Sequence, residues 1–258
     1  MNEYLLRWRA RLTGPARVYA IVSLLLLLIA AAQLIKWTVV RHAEEHFDQV
    51  IDDRCTDYLQ TAVQSFAGIQ RSTRRVGTET AGQSAVIDYL SQRDTSREKI
   101  FASVVDLSRA QEVGIEVYDR NGSLVCWEGR SGVRHPREVR LALDGQMTSY
   151  VTMTPIASQL FVTIPVRAEG SILGAVMVRR TIDVNYPLNN RYIRREGLTT
   201  DLSRLLGVTI DFDFSPDAQP RRDGRYASAV LYGIDSSRVG IVNVLRPPRA
   251  SFLESLAI

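Results

Sequence analysis

Uncharged, predominantly apolar residues fill positions 18–35 of the chain, apolar residues recur every three or four residues as far as 69, and they alternate every second residue beyond 114. The unbroken run "VYAIVSLLLLLIAAAQLI" carries no charge. It matches the about 20 apolar residues that cross a bilayer as a helix, and Lys36 and Trp37 follow it as interface anchors do. The series Phe47, Ile51, Cys55, Tyr58, Ala62, Phe66 and Ile69 has helical spacing, and predicts a long amphipathic helix over about 41–75 that continues the span. "AVIDYL" and "EKIFASVVDL" predict two shorter helices separated by the polar "SQRDTSR".

From Gly114 the period is that of strands. "IEVYD" and "SLVCWEG" flank "RNG", a hairpin signal, and "HPREVRLALDGQ" is a short helix between Pro136 and Gly145. "TSYVTMTPI", "QLFVTIPVRA" and "SILGAVMVRRTI" then give three more strands. Five strands with an inserted helix make an antiparallel sheet covered by helices, the α+β class. A second, smaller unit follows: helix "NRYIRREGLTTDLSRLLG" around Gly197, then strands "VTIDFDF", "ASAVLYGI" and "RVGIVNVLR". After Pro247 and Pro248 the segment "RASFLESLAI" begins another apolar helix. The resulting division is 1–17, an N-terminal flank; 18–40, a membrane helix; 41–113, a long helix and helical connection; 114–186, a first sheet module; 187–246, a smaller one; and 247–258, an exit helix toward a second span.

Charge changes this picture at the membrane. Arg7, Arg9, Arg11 and Arg17 precede the span, whereas Glu44, Glu45, Asp48, Asp52, Asp53 and Asp57 outnumber Arg41 and Arg54 after it. The positive-inside rule then puts the N-terminus in the cytoplasm, and residues after about 40 in the periplasm or outside the cell, on an inner (cell) membrane. The small-x-small arrangement in "IAAAQ" offers a signal-peptide reading beside the anchor. The formal charge of +4 is dispersed without a basic, aromatic-interleaved stripe, so nucleic acid is not an expected partner. Cys55 falls on the apolar helical series and Cys126 inside a strand, as small buried residues do, although an exported compartment would let them pair.

Catalytic chemistry finds little support. "HAEEH" at 42–46 has the His-x-x-Glu-His spacing of some zinc peptidases, but lies at the membrane exit with His135 as the only other histidine. There is no phosphate-binding glycine loop and no Gly-x-Ser-x-Gly elbow. No catalytic residue, metal ligand or cofactor is therefore assigned.

The chemistry that stands out is "ILGAVMVRRTID". Side chains alternate along a strand, so Arg179 shares a face with Ala175 and Met177, and Arg180 shares the other with Val176, Val178 and Ile182. Arg180 is expected to be the outward, solvated member. Arg179 is expected to meet either a ligand anion or an internal acid such as Glu116 or Asp183. The candidate ligand-binding face carries Tyr118, Trp127, Tyr150, Thr163 and Arg179, aromatic walls with few polar groups.

The order of parts, and in particular "IEVYDRNGSLV" and "LFVTIPVRAEGSILGAVMVRR", resembles the extracytoplasmic double Cache sensor regions, relatives of PAS domains, found in bacterial histidine kinases, chemoreceptors and cyclic-nucleotide signalling enzymes. The resemblance implies two PAS-like antiparallel modules, membrane-distal then membrane-proximal, and a small-molecule sensor in a transmembrane receptor, chosen as a histidine kinase of a two-component system. It also implies transmission by helix displacement and a homodimer through the long helix. Two features depart from the amino-acid-sensing members. Their Asp-x-x-x-Arg-x-Trp-Tyr-x-x-Ala pattern is absent, and Arg179 stands where they carry an acid, which favours a carboxylate or phosphate ligand. A singly anchored or exported binding module without its own output is the alternative.

Overall fold

The computed structural model describes residues 14–129, 136–184, 196–221, 224–249 and 252. These fall into two compact units, one of residues 1–53 with 247–258, the other of residues 54–246.

In the first unit the apolar run forms helix α1 (Gly14–Glu45). Its window Val18–His42 has a mean hydropathy of 2.6 and no buried share, which is the length and composition of a membrane span. Helix α2 (Phe47–Ala81) starts one residue after α1 ends. The expected long helix is thus interrupted by a turn at His46 and runs six residues further, to Ala81. The segment after Pro248 folds back on the start of α2: the Phe252 ring lies 5.8 Å from that of Phe47, and Arg249 donates to the Glu44 carbonyl at 2.9 Å.

The second unit is built on a sheet of order β2-β1-β5-β4-β3, with the short β6 paired to β5. The strands are β1 (Gly114–Asp119), β2 (Leu124–Glu128), β3 (Thr148–Met153), β4 (Ala157–Ala168), β5 (Ser171–Val184) and β6 (Glu196–Gly197), all antiparallel. One face holds Ile115, Val117, Val162, Ile164, Val176 and Val178, each almost fully buried. Helix α2 reaches this face through Gly77, where an added Cβ would come within 2.6 Å of Ile164 Cδ1 and 3.1 Å of Val178 Cγ2. A glycine there lets helix and sheet close to a distance that a larger side chain forbids. Helix α3 (Ser84–Leu90) packs on β4 and β5, and α4 (Arg97–Gln111) on β1 and β2. The opposite face is covered by α5 (Pro136–Leu143).

A second sheet, order β7-β9-β8, is formed by β7 (Ile210–Asp213), β8 (Tyr226–Tyr232) and β9 (Arg238–Leu245), with α6 (Leu198–Leu206) against β7. Phe66 of α2 meets Phe214 beside this sheet at 5.7 Å between ring centroids. Four hydrogen bonds tie the second sheet and its helix to the rest of the unit. Ser149 Oγ of β3 accepts from Ile234 N at 2.8 Å, Gln70 donates to the Tyr232 carbonyl at 3.1 Å, and Asp183 accepts from Thr199 N and Oγ1 at 2.9 and 2.8 Å.

The α+β class, the five antiparallel strands with the helix between the second and third, and the following three strands agree with the sequence reading. The part of the predicted helix over 190–195, and His135, lie outside the described residues, and Glu196 and Gly197, expected within that helix, form β6 instead.

Candidate functional site

Strand registers place the side chains of the α5-covered face in rows. One row is Thr148, Thr163, Met177, Glu116 and Trp127, crossing all five strands from β3 to β2. The next, two residues along each strand, is Tyr150, Phe161, Arg179 and Gly114. On the other side of the first row Ala175 faces Tyr118. All five residues singled out in the sequence therefore fall on one face by register, because strand alternation is strict wherever no bulge intervenes.

Their surroundings differ. Tyr118, Phe161, Ala175 and Met177 form a buried cluster with Val139 and Ala142 of α5, and Leu143 and Tyr150 pack against it. The Tyr150 and Phe161 rings stack at 5.0 Å. Trp127 sits at the edge of the sheet, 45% exposed, with its ring edge-on to Phe101 of α4 at 6.0 Å. It does not join the cluster.

The polar groups of the face are set in this apolar surround. Glu116 is only 8% exposed, and its carboxylate accepts from the Tyr118 hydroxyl. Burial, followed by that hydrogen bond and the Glu116 charge, pushes the Tyr118 phenol well above its ordinary range. Burial, followed by the charges of Glu138 and others, does the same to Tyr150. Both stay protonated donors at neutral pH. The Tyr150 hydroxyl points at Met177 Sδ, 3.7 Å away. Thr148 and Thr163 face each other across β3 and β4, both buried, and neither Oγ1 has a hydrogen-bond partner. Buried hydroxyls are nearly always paired, so two adjacent orphans on the same face are unusual.

Arg179 lies where its row meets β1. A Cβ on Gly114 would come within 2.8 Å of its Nη2 and 3.1 Å of its Nε, and one on Gly129 within 3.4 Å of Nη2. The guanidinium thus occupies a slot that exists because β1 carries glycine at the paired position. Among the described residues no carboxylate reaches Arg179 within ion-pair distance. Glu116 takes Tyr118 and Asp183 takes Thr199, so neither internal acid considered from the sequence neutralises it.

Arg180 differs from expectation. It turns toward the helical side, half-buried, donates to the Gln111 carbonyl at 3.2 Å, and leaves its Nε buried without a partner. Burial lowers its pKa, Glu112 opposes that shift and Arg75 adds to it. The expected outward position is not found because this face of β5 is covered, with Val178 against α2 at Gly77.

Sequence reading placed Met177 beside Arg179 and named Glu116 only as a possible partner acid; it missed Gly114, Thr148 and Phe161 as members of the face. Thr148 and Glu116 each lie two residues from a residue it did select, which alternation alone could have supplied. Gly114 needed the pairing of β1 with β5, which no local pattern encodes. At the membrane exit the His42 and His46 rings are 4.6 Å apart, and among the described residues no group of three or more possible metal ligands occurs. The face as a whole carries a guanidinium, two phenols, two hydroxyls and one buried carboxylate.

No protein family matches the sequence and no curated protein matches it. Solved structures do match. The extracellular domain of a protein assigned as a histidine kinase superposes with a TM-score of 0.56 at 12% identity, covering 81% of this chain and 98% of that one. A domain of a sensory box/GGDEF family protein from Vibrio parahaemolyticus gives 0.52 at 13%, covering 81% and 99%. The sensor domain of the Vibrio cholerae histidine kinase DctB gives 0.50 at 11%, covering 79% and 100%. At such identities the likeness is one of fold: this chain has the double PAS-like, Cache-type fold of bacterial extracytoplasmic sensor domains.

Proposed function

We propose that this chain is the ligand-sensing region of a membrane-anchored signalling receptor, of the histidine kinase kind, with α1 as its anchor, the N-terminus cytoplasmic and the sheets outside the membrane. The ligand is a small anion, a carboxylate or phosphate, held at the Arg179 end of the α5-covered face. One observation carries this reading: Arg179 is seated in a glycine slot on that face and no carboxylate of the described residues neutralises it. A planar, bidentate donor left open in this way suits an oxyanion. The aromatic cluster beside it and the orphan hydroxyls of Thr148 and Thr163 supply the remaining contacts. The cluster is closed under α5, so ligand entry requires α5 to shift, and that shift is the proposed signal. Two copies are proposed to pair through α2.

The test is a thermal-shift screen of the full chain in phosphatidylcholine nanodiscs against mono- and dicarboxylates and phosphate esters. An anion that stabilises the wild type is expected to lose its effect in Arg179→Ala. Gly114→Val, which fills the slot, should weaken it by about tenfold or more, the scale of a lost charge-assisted contact. Unchanged shifts in both variants would remove Arg179 from the site.

A further inference from the structure

A second cationic site lies on α2, away from the α5-covered face. Arg71, Arg74, Arg75, Thr78 and Glu79 line a concavity of about 500 Å³. Their spacing brings them onto neighbouring turns of one helix, and all five are exposed. Elsewhere in this unit some exposed arginines find carboxylates, Arg93 with Glu169, Arg109 with Glu128, Arg204 with Asp201 and Arg221 with Asp211, while others, such as Arg97 and Arg120, form no ion pair among the described residues. Among the described residues Arg71, Arg74 and Arg75 make no ion pair or hydrogen bond. The charges of Arg75 and Glu112 also act on Arg180, whose Nε is buried and unpartnered. Like charges gathered on one surface repel, and here Glu79 and Glu112 are the acids beside four guanidinium groups. The concavity keeps two positive charges in excess and presents a Thr78 hydroxyl as a further donor.

We propose that the Arg71–Arg74–Arg75 concavity binds a doubly charged tetrahedral oxyanion, phosphate or a phosphate monoester, independently of Arg179. Guanidinium forks match such an anion with paired N–H donors, and two net charges neutralise the local excess. A phosphodiester, with one charge, satisfies the excess only by half.

The experiment is calorimetric titration of the full chain in phosphatidylcholine nanodiscs with inorganic phosphate and, separately, with glycerol phosphate at constant ionic strength. The expected result is binding in the wild type and in Arg179→Ala, weakened by about tenfold or more when the double variant Arg71→Gln with Arg75→Gln is made in the Arg179→Ala background. Both substituted side chains are exposed, and an unchanged melting temperature without anion verifies that the fold persists. A preference for glycerol phosphate identifies an esterified ligand, and a preference for inorganic phosphate a free one. No binding of either probe, or equal affinity in the double variant, would overturn the proposal. Loss of binding in Arg179→Ala alone would do the same, by assigning the anion to the other site.

Discussion

Thr163 has no solvent exposure and its hydroxyl has no partner, a combination that costs stability wherever it occurs. Thr163→Val keeps the shape and removes the orphan group, so the variant is expected to be more stable by about 1 kcal/mol in urea unfolding. A loss of stability would mean that the hydroxyl is satisfied in solution. The same variant should bind the proposed ligand less well, the signature of a group retained for binding at the expense of folding. At this scale the sequence was legible where alternation alone decides: Tyr118, Tyr150, Thr163 and Arg179 share a face because each strand runs regularly between them. It was not legible where contacts come from distant segments. Arg180 is turned inward by α2 and α4, and Trp127 is drawn to Phe101, both arrangements set by helix packing that no strand pattern contains.

Among the elements, α2 owes its closeness to the first sheet to Gly77. Gly77→Leu would drive its side chain into Ile164 and Val178, and is expected to cost about 2–3 kcal/mol despite leucine's better helix propensity, read as a lowered melting temperature. The joint between β5 and α6 depends on Asp183, 7% exposed and bonded to Thr199. Burial raises its pKa above the usual 3.8, the Thr199 hydrogen bonds lower it, and the nearby charges of Asp201 and Asp211 raise it again. Because the folded-state value is the higher one, its contribution is most favourable below the unfolded pKa and is lost as pH rises through the folded value. Asp183→Asn removes the buried charge and can still accept from Thr199. It should therefore raise the melting temperature at pH 7, and this gain should vanish toward pH 3. A gain independent of pH would contradict the assignment. Element existence was well marked by periodicity, but the extension of α2 to Ala81 follows from the burial of Val76, Gly77 and Thr80 rather than from the apolar spacing before Ile69.

For the whole molecule, the proposed parallel pairing through α2 must accommodate Arg71, Arg74 and Arg75 on both copies, where like would face like. The uncharged stretch around Gln64, Ala67 and Gly68 is the part of α2 that can approach its twin closely. Cys55 and Cys126 are both buried, and burial, then the Glu128 charge, pushes the Cys126 thiol up to about 12, so neither competes in a cross-linking assay. Gln64→Cys is expected to give a disulfide-linked dimer under mild oxidation, and its absence would exclude pairing at this position. The hydrogen bonds of Ser149, Gln70 and Asp183 to the second sheet and its helix also bear on how the molecule is made. As the chain emerges from the ribosome, the five main strands of the first sheet are present once Val184 has appeared, yet three of its supporting polar groups still await partners at Thr199, Tyr232 and Ile234. The first sheet is thus left unfinished by its topology, and segments synthesised later complete it.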